Sequence, residues 1–99
     1  MRTIILVLTA AALLASVPAF AYTGEELAGT AKISLDQARA IALRAVRGTI
    51  AKLELEKEAG GSGLRYSFDV SDAGKTYEVG VDAMTGKVLE NGKEGAHPD

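Results

Sequence analysis

Between Leu35 and Arg47 the apolar positions recur at three- and four-residue spacing. Leu35, Ala38, Ile41, Ala42, Ala45 and Val46 fall on one stripe, and Arg39, Arg44 and Arg47 fall elsewhere. That period predicts an amphipathic helix over Leu35 to Arg47. Ser34 can cap its start, with Gln37 three residues on completing a capping box. Asp36 suits the positive end of the helix. Gly48 is expected to stop it in a left-handed conformation. The period then falls to two. Ala51, Leu53 and Leu55 alternate with Lys52, Glu54 and Glu56; Leu64, Tyr66, Phe68 and Val70 with Arg65, Ser67 and Asp69; Tyr77, Val79 and Val81 with Glu78, Gly80 and Asp82. Such alternation predicts strands of an antiparallel sheet with one buried and one wet face. Gly60 to Gly63 reads as a hairpin loop, Ser71 to Lys75 and Asp82 to Lys87 as turns, and Val88-Leu89 as a short fourth strand.

Charge fixes a register for the first two strands. Placing Leu55 opposite Tyr66 sets Leu53 by Phe68 and Ala51 by Val70 on the apolar side. It also sets Glu56 by Arg65 and Lys52 by Asp69 on the polar side. Matched cross-strand pairs are each worth roughly 0.2–1 kcal/mol, and a one-residue slip would lose them. The expected fold class is therefore α+β. One main helix packs on one face of a three- or four-stranded antiparallel sheet, in the order helix then strands, as a single small domain.

The opening stretch belongs to neither period. Arg2 is followed by a charge-free apolar run from Thr3 to Val17, then Pro18 and Ala19-Phe20-Ala21. A basic start, a short apolar run and an A-x-A site are the parts of a secretory signal peptide. The run is shorter than the roughly 20 residues a membrane span needs. Cleavage is expected between Ala21 and Tyr22, giving a periplasmic or secreted protein that meets the membrane only for export. Residues 22–32, with Gly24 and Gly29, read as a loose lead with a helical turn at Glu25 to Ala28, and residues 91–99 as a flexible tail.

Composition narrows the chemistry. The 99 residues carry a net charge of −2 with no Cys, no Trp and one His, and removal of Arg2 makes the balance −3. A slightly acidic chain lacks the clustered positive field of a nucleic-acid binder. Without Cys there is no disulfide and no cysteine nucleophile. The lone His97 lies near the C-terminus, and Ser34, Ser62 and Ser67 have capping, loop and outward strand positions. No base held by a third group is in view, so no catalytic residue is assigned and the chain is not expected to be an enzyme. No cofactor or metal is assigned either. Arg39, Arg44 and Arg47 read as a solvated helix face.

Asp82-x-x-Thr85-Gly86 is the most motif-like stretch. It reads as a turn in which Asp82 accepts backbone N–H groups, Thr85 supports it and Gly86 takes a positive φ. Glu54, Glu56, Glu58, Asp69, Asp72 and Glu78 make the outward sheet face acidic, and Glu54 and Glu56 are candidate partner contacts. Gly80 joins them as a place where another chain can approach closely, with strand addition at a sheet edge as the mode.

These residues resemble a known family. Ile33-Ser34-Leu35-Asp36-Gln37-Ala38 with Ile41-Ala42 is similar to the opening helix of the PepSY domain. Tyr77-Glu78-Val79-Gly80-Val81-Asp82-Ala83-Met84-Thr85-Gly86-Lys87-Val88-Leu89 is similar to its closing pattern. The resemblance covers Lys32 to Glu90, with the domain placed at 33–90. It departs where the family often has Pro-Gly and this chain has Arg47-Gly48. It implies a small exported bacterial module of the kind found in propeptides of thermolysin-like metalloproteases, where it helps keep the protease inactive. The function expected from it is a non-catalytic interaction module that inhibits or modulates a peptidase in the cell envelope, with a protein partner. Two alternatives stay open. One is a small-ligand or metal-ion-binding accessory of an envelope sensor, using Glu94, His97 and Asp99. The other is a homodimer joined through sheet edges.

Overall fold

The computed structural model describes residues 22–93. The expected signal segment and the tail with Glu94, His97 and Asp99 lie outside the described residues. Within them a 3-10 helix at Glu25–Thr30 precedes one α-helix, α1 (Leu35–Ala45), and four strands. These are β1 (Thr49–Lys57), β2 (Leu64–Asp72), β3 (Lys75–Asp82) and β4 (Val88–Lys93). The strands form one antiparallel sheet in the order β1-β2-β3-β4. The helix packs on one face of it, so the α+β reading holds.

The capping box closes α1 as the sequence demands. Ser34 Oγ accepts from Gln37 N–H at 3.1 Å, and Gln37 Oε1 accepts from Ser34 N–H at 2.8 Å. Ser34→Ala is expected to lower stability by about 1 kcal/mol, read as a small fall in melting temperature. Ala38 and Ala42 are fully buried. Their small side chains let the helix lie close on Tyr66, Phe68, Val70, Val79 and Val81, which form the core with Leu55.

The far end of the helix differs from expectation. It stops at Ala45, and Val46 turns away in an extended conformation. Gly48 is not left-handed. Its lack of a side chain matters because a Cβ there would collide with the Ser71 carbonyl oxygen, where β1 begins against β2.

Leu53, Leu55, Glu56 and Lys52 meet Phe68, Tyr66, Arg65 and Asp69 as the charge argument requires. Ala51 does not meet Val70. A bulge between Ile50 and Lys52 puts Ile50 opposite Val70 and leaves Ala51 exposed. The bulge carries the larger apolar side chain to the core side, where it removes more area from water. A second irregularity lies between Gly80 and Val81, which face Glu90 and Val88, so Leu89 is the extra residue. The fourth strand runs on to Lys93, beyond the two residues expected and into the stretch read as tail.

The lead is fastened to the sheet. Thr23 forms a parallel bridge with Glu54, and Lys32 and Ile33 both donate their N–H groups to the Ala83 carbonyl at 3.0 and 2.9 Å. Tyr22, Leu27, Ala28, Ala31 and Ile33 pack against the core.

Candidate functional site

The helix covers one face of the sheet and leaves the other to solvent. Alternation puts Lys52, Glu54 and Glu56 of β1, Ser67 and Asp69 of β2 and Glu78 of β3 on that open face. The strand twist makes it a shallow depression of about 350 Å³. Six carboxylates line it: Glu54, Glu56, Glu58, Asp69, Glu78 and Glu90, with Lys52 as the cation among them.

The two candidate contacts Glu54 and Glu56 are both here, half-buried and each held from the side. Glu56 Oε2 accepts from Ser67 Oγ at 2.8 Å, and Glu54 Oε2 lies 3.5 Å from Lys52 Nζ. Neither is held by the residue directly opposite it: Glu56 stands opposite Arg65 and Glu54 opposite Ser67. Among the described residues no group of three acidic or His side chains converges to hold a metal ion. The charge is spread along the face and suits a broad positive surface better than a single cation.

Gly80 is placed differently from the reading that opened it to a partner. It is buried in β3, an interior strand, and the approach made there is the chain's own. A Cβ on Gly80 would come within 3.1 Å of Arg65 Nη1 and 3.3 Å of Glu90 Cβ. Arg65 uses that space to cross the sheet. Its Nη1 reaches Glu90 Oε1 at 3.4 Å and Glu58 Oε2 at 4.0 Å, and its Nη2 donates to the Ala59 carbonyl at 3.1 Å. Arg65 is only 7% exposed although its strand position faces outward. It ties the β1–β2 loop to β4 and sets one end of the acidic depression. The pattern carried a signal for this: a glycine at an outward position diagonal to an outward arginine leaves a trough for the arginine stem.

The Asp82, Thr85 and Gly86 stretch begins two residues after Gly80, at the C-terminal end of β3, where Asp82 stands opposite Arg65. Gly86 takes φ 84° and donates to the Asp82 carbonyl at 2.8 Å. Thr85 Oγ1 accepts from Lys87 N–H at 3.1 Å. Asp82 is 1% exposed. Its Oδ1 accepts from Met84 N–H at 2.8 Å, Thr85 N–H at 3.2 Å and Ser62 Oγ at 2.8 Å, while Oδ2 accepts from Ser62 N–H at 2.7 Å. Burial pushes the Asp82 carboxyl upward. The bonds from Met84, Ser62 and Thr85 outweigh burial and hold it below the usual carboxylate range. The carboxylate therefore clamps two loops and is shut away from any ligand. Ser62, the distant half of this clamp, had no place in the sequence reading of the turn.

Helix, meander, clamped Asp-x-x-Thr-Gly turn and acidic face together set the frame for comparison with known proteins. The family model described as the peptidase propeptide and YPEB domain, PepSY, matches residues 32–91. The chain belongs to the PepSY family. The match begins just before the Ser34 cap and ends within β4, so it takes in α1, the β1–β2 and β2–β3 pairings, most of the β3–β4 pairing and both loops that Asp82 joins. PepSY domains are in general non-catalytic modules of the propeptide and inhibitor kind, associated with peptidases. No curated protein and no solved structure matches the chain.

Proposed function

We propose that this PepSY protein is an exported, non-catalytic module that inhibits or modulates a peptidase of the cell envelope. The observation that carries the reading is the family match over residues 32–91, which takes in the whole helix-and-sheet unit apart from the last two residues of β4. Two further features support it. Three of the four described serines already have structural work: Ser34 caps α1, Ser62 serves Asp82 and Ser67 serves Glu56. The open sheet face offers spread negative charge, with Glu54 and Glu56 at its β1 side. The module acts by covering part of a peptidase, and its acidic face meets a basic surface there.

The test starts with export. The protein recovered from the envelope fraction should begin at Tyr22 by mass spectrometry. It should then capture a peptidase from envelope extract and slow that peptidase on a peptide substrate. Reversing the charge at Glu54→Lys and Glu56→Lys together should weaken the inhibition by about tenfold or more, and raised salt should weaken the wild type in the same direction. Circular dichroism would show that the variant keeps its fold. A captured peptidase whose rate the purified module leaves unchanged would sink the proposal.

A further inference from the structure

The outer edge of β1 is covered by the chain itself. Thr23 pairs with Glu54 in a parallel bridge, and its carbonyl accepts the Leu55 N–H at 2.9 Å. Gly24 then turns away at φ 89°, so tightly that a Cβ there would run into the Leu55 carbonyl. Beside this contact an open groove separates Tyr22 and Arg39 from the Ile50 to Leu53 stretch. Backbone groups of successive strand residues point to opposite sides. Since the Leu55 N–H points to the edge, so do those of Leu53 and Lys57, whereas Glu54 and Glu56 turn theirs toward β2.

We propose that Tyr22 to Gly24 is a strap over a self-pairing edge, and that lifting it lets β1 pair antiparallel with β1 of a second copy about a two-fold axis at Leu53. Charge selects both occupant and register. With Leu53 opposite its own copy, Lys52 faces Glu54 of the second copy, and Glu54 faces Lys52 of the second copy. Both pairs lie on the outward face, where Lys52 and Glu54 already sit within 3.5 Å of each other in one chain. Moving the axis to residue 52 sets Lys against Lys. Moving it to residue 54 sets Glu against Glu, and at residue 55 Glu54 faces Glu56. Only the Leu53 register among these is free of like-charge pairs, which are destabilising when directly opposite. In that register Leu55 donates its N–H to Ala51 of the second copy. The strap holds that same N–H, so strap and second copy compete for one donor. Exposed strand edges are templates for such pairing, and a two-fold contact closes on itself as a dimer.

The proposal is independent of the peptidase reading and is tested on the purified protein by sedimentation equilibrium. Gly24→Val has no room against the Leu55 carbonyl and no comfortable φ, so it lifts the strap. The wild type should sediment as a monomer, and Gly24→Val as a concentration-dependent dimer with a Kd at least tenfold lower. Adding Lys52→Glu to Gly24→Val should return it to monomer. Adding both Lys52→Glu and Glu54→Lys should restore the dimer. Should Gly24→Val lose its circular dichroism signal, the chain lacking residues 22–24 takes its place with the same expected results. A wild type already dimeric, a folded but monomeric strapless protein, or a dimer indifferent to Lys52→Glu would each overturn the proposal.

Discussion

Asp82→Ala is expected to destabilise the domain by about 3–5 kcal/mol, enough to leave much of it unfolded at 37 °C. The substitution removes the acceptor of four hydrogen bonds at once, from Ser62 N–H, Ser62 Oγ, Met84 N–H and Thr85 N–H. Each donor left without a partner in a partly buried place costs roughly 1–3 kcal/mol, less where water can reach it. A domain of this size has only about 4–11 kcal/mol to lose. Each kcal/mol corresponds to about 4–8 °C in melting temperature, so a drop of at least about 12 °C should be seen by calorimetry. Asp82→Asn is not a rescue. If its oxygen takes the Oδ1 position, its NH₂ faces the Ser62 N–H, donor against donor; a loss of about 2 kcal/mol is expected.

The same carboxylate gives the domain an acid limit. Its pKa is held below the ordinary value in the folded state. Its contribution is therefore fully present above the unfolded value, near pH 4, and is lost as pH falls through the lower folded value. Melting temperature measured downward from pH 5 should fall more steeply for the wild type than for Asp82→Asn, which has no proton to gain there. Equal slopes would show that other groups set the acid limit.

The contrast between the two ends of this clamp shows what the amino-acid order could reveal. Met84 and Thr85 lie within three residues of Asp82, so the turn is readable from local spacing alone. Ser62 lies twenty residues away in a glycine loop, and only the folded meander brings it to the carboxylate. The same division runs through the fold. Ser34 and Gln37 are three apart, and their capping box is legible. Alternation in Leu53, Leu55, Tyr66 and Phe68 is strong enough to fix a register. It fails at Ala51, because unbroken alternation cannot show that Ile50 gains more by turning inward across a bulge.

Backbone contacts and vacant side-chain space are harder still to read. The lead looks loose because its hold on β1 is made by the Thr23 carbonyl, which no side-chain pattern records. Gly48 looks like a helix stop, yet its value lies in the nearness of the Ser71 carbonyl. On the open face the six carboxylates were largely legible, since outward positions follow from the period. The burial of Arg65 was not. It depends on the missing side chain of Gly80 and on Glu90 of a strand expected to be shorter. The acidic depression thus owes its lining to alternation and its closed end to a three-residue coincidence of β2, β3 and β4.

Tyr66 offers a second large effect, and a way to separate packing from tethering. Its ring is 1% exposed and stacks on Phe68 with centroids 6.4 Å apart, while its hydroxyl donates to the Ile33 carbonyl at 2.8 Å. Burial, then the nearness of Tyr22, pushes the phenol above its ordinary value, so it remains a donor through the physiological range. Tyr66→Ala leaves a large cavity between α1 and the sheet and should cost about 3–5 kcal/mol, as buried aromatic truncations do. Tyr66→Phe keeps the ring and removes one hydrogen bond, at about 1 kcal/mol. The two variants should also differ in where they act. In Tyr66→Phe the amides of Lys32 and Ile33, which donate to the Ala83 carbonyl, should exchange with solvent faster while those of β2 and β3 stay protected. In Tyr66→Ala protection should fall across the sheet. If Tyr66→Phe loosened β2 as much as the lead, the hydroxyl would be holding the core together and not the segment that runs into the Ser34 cap.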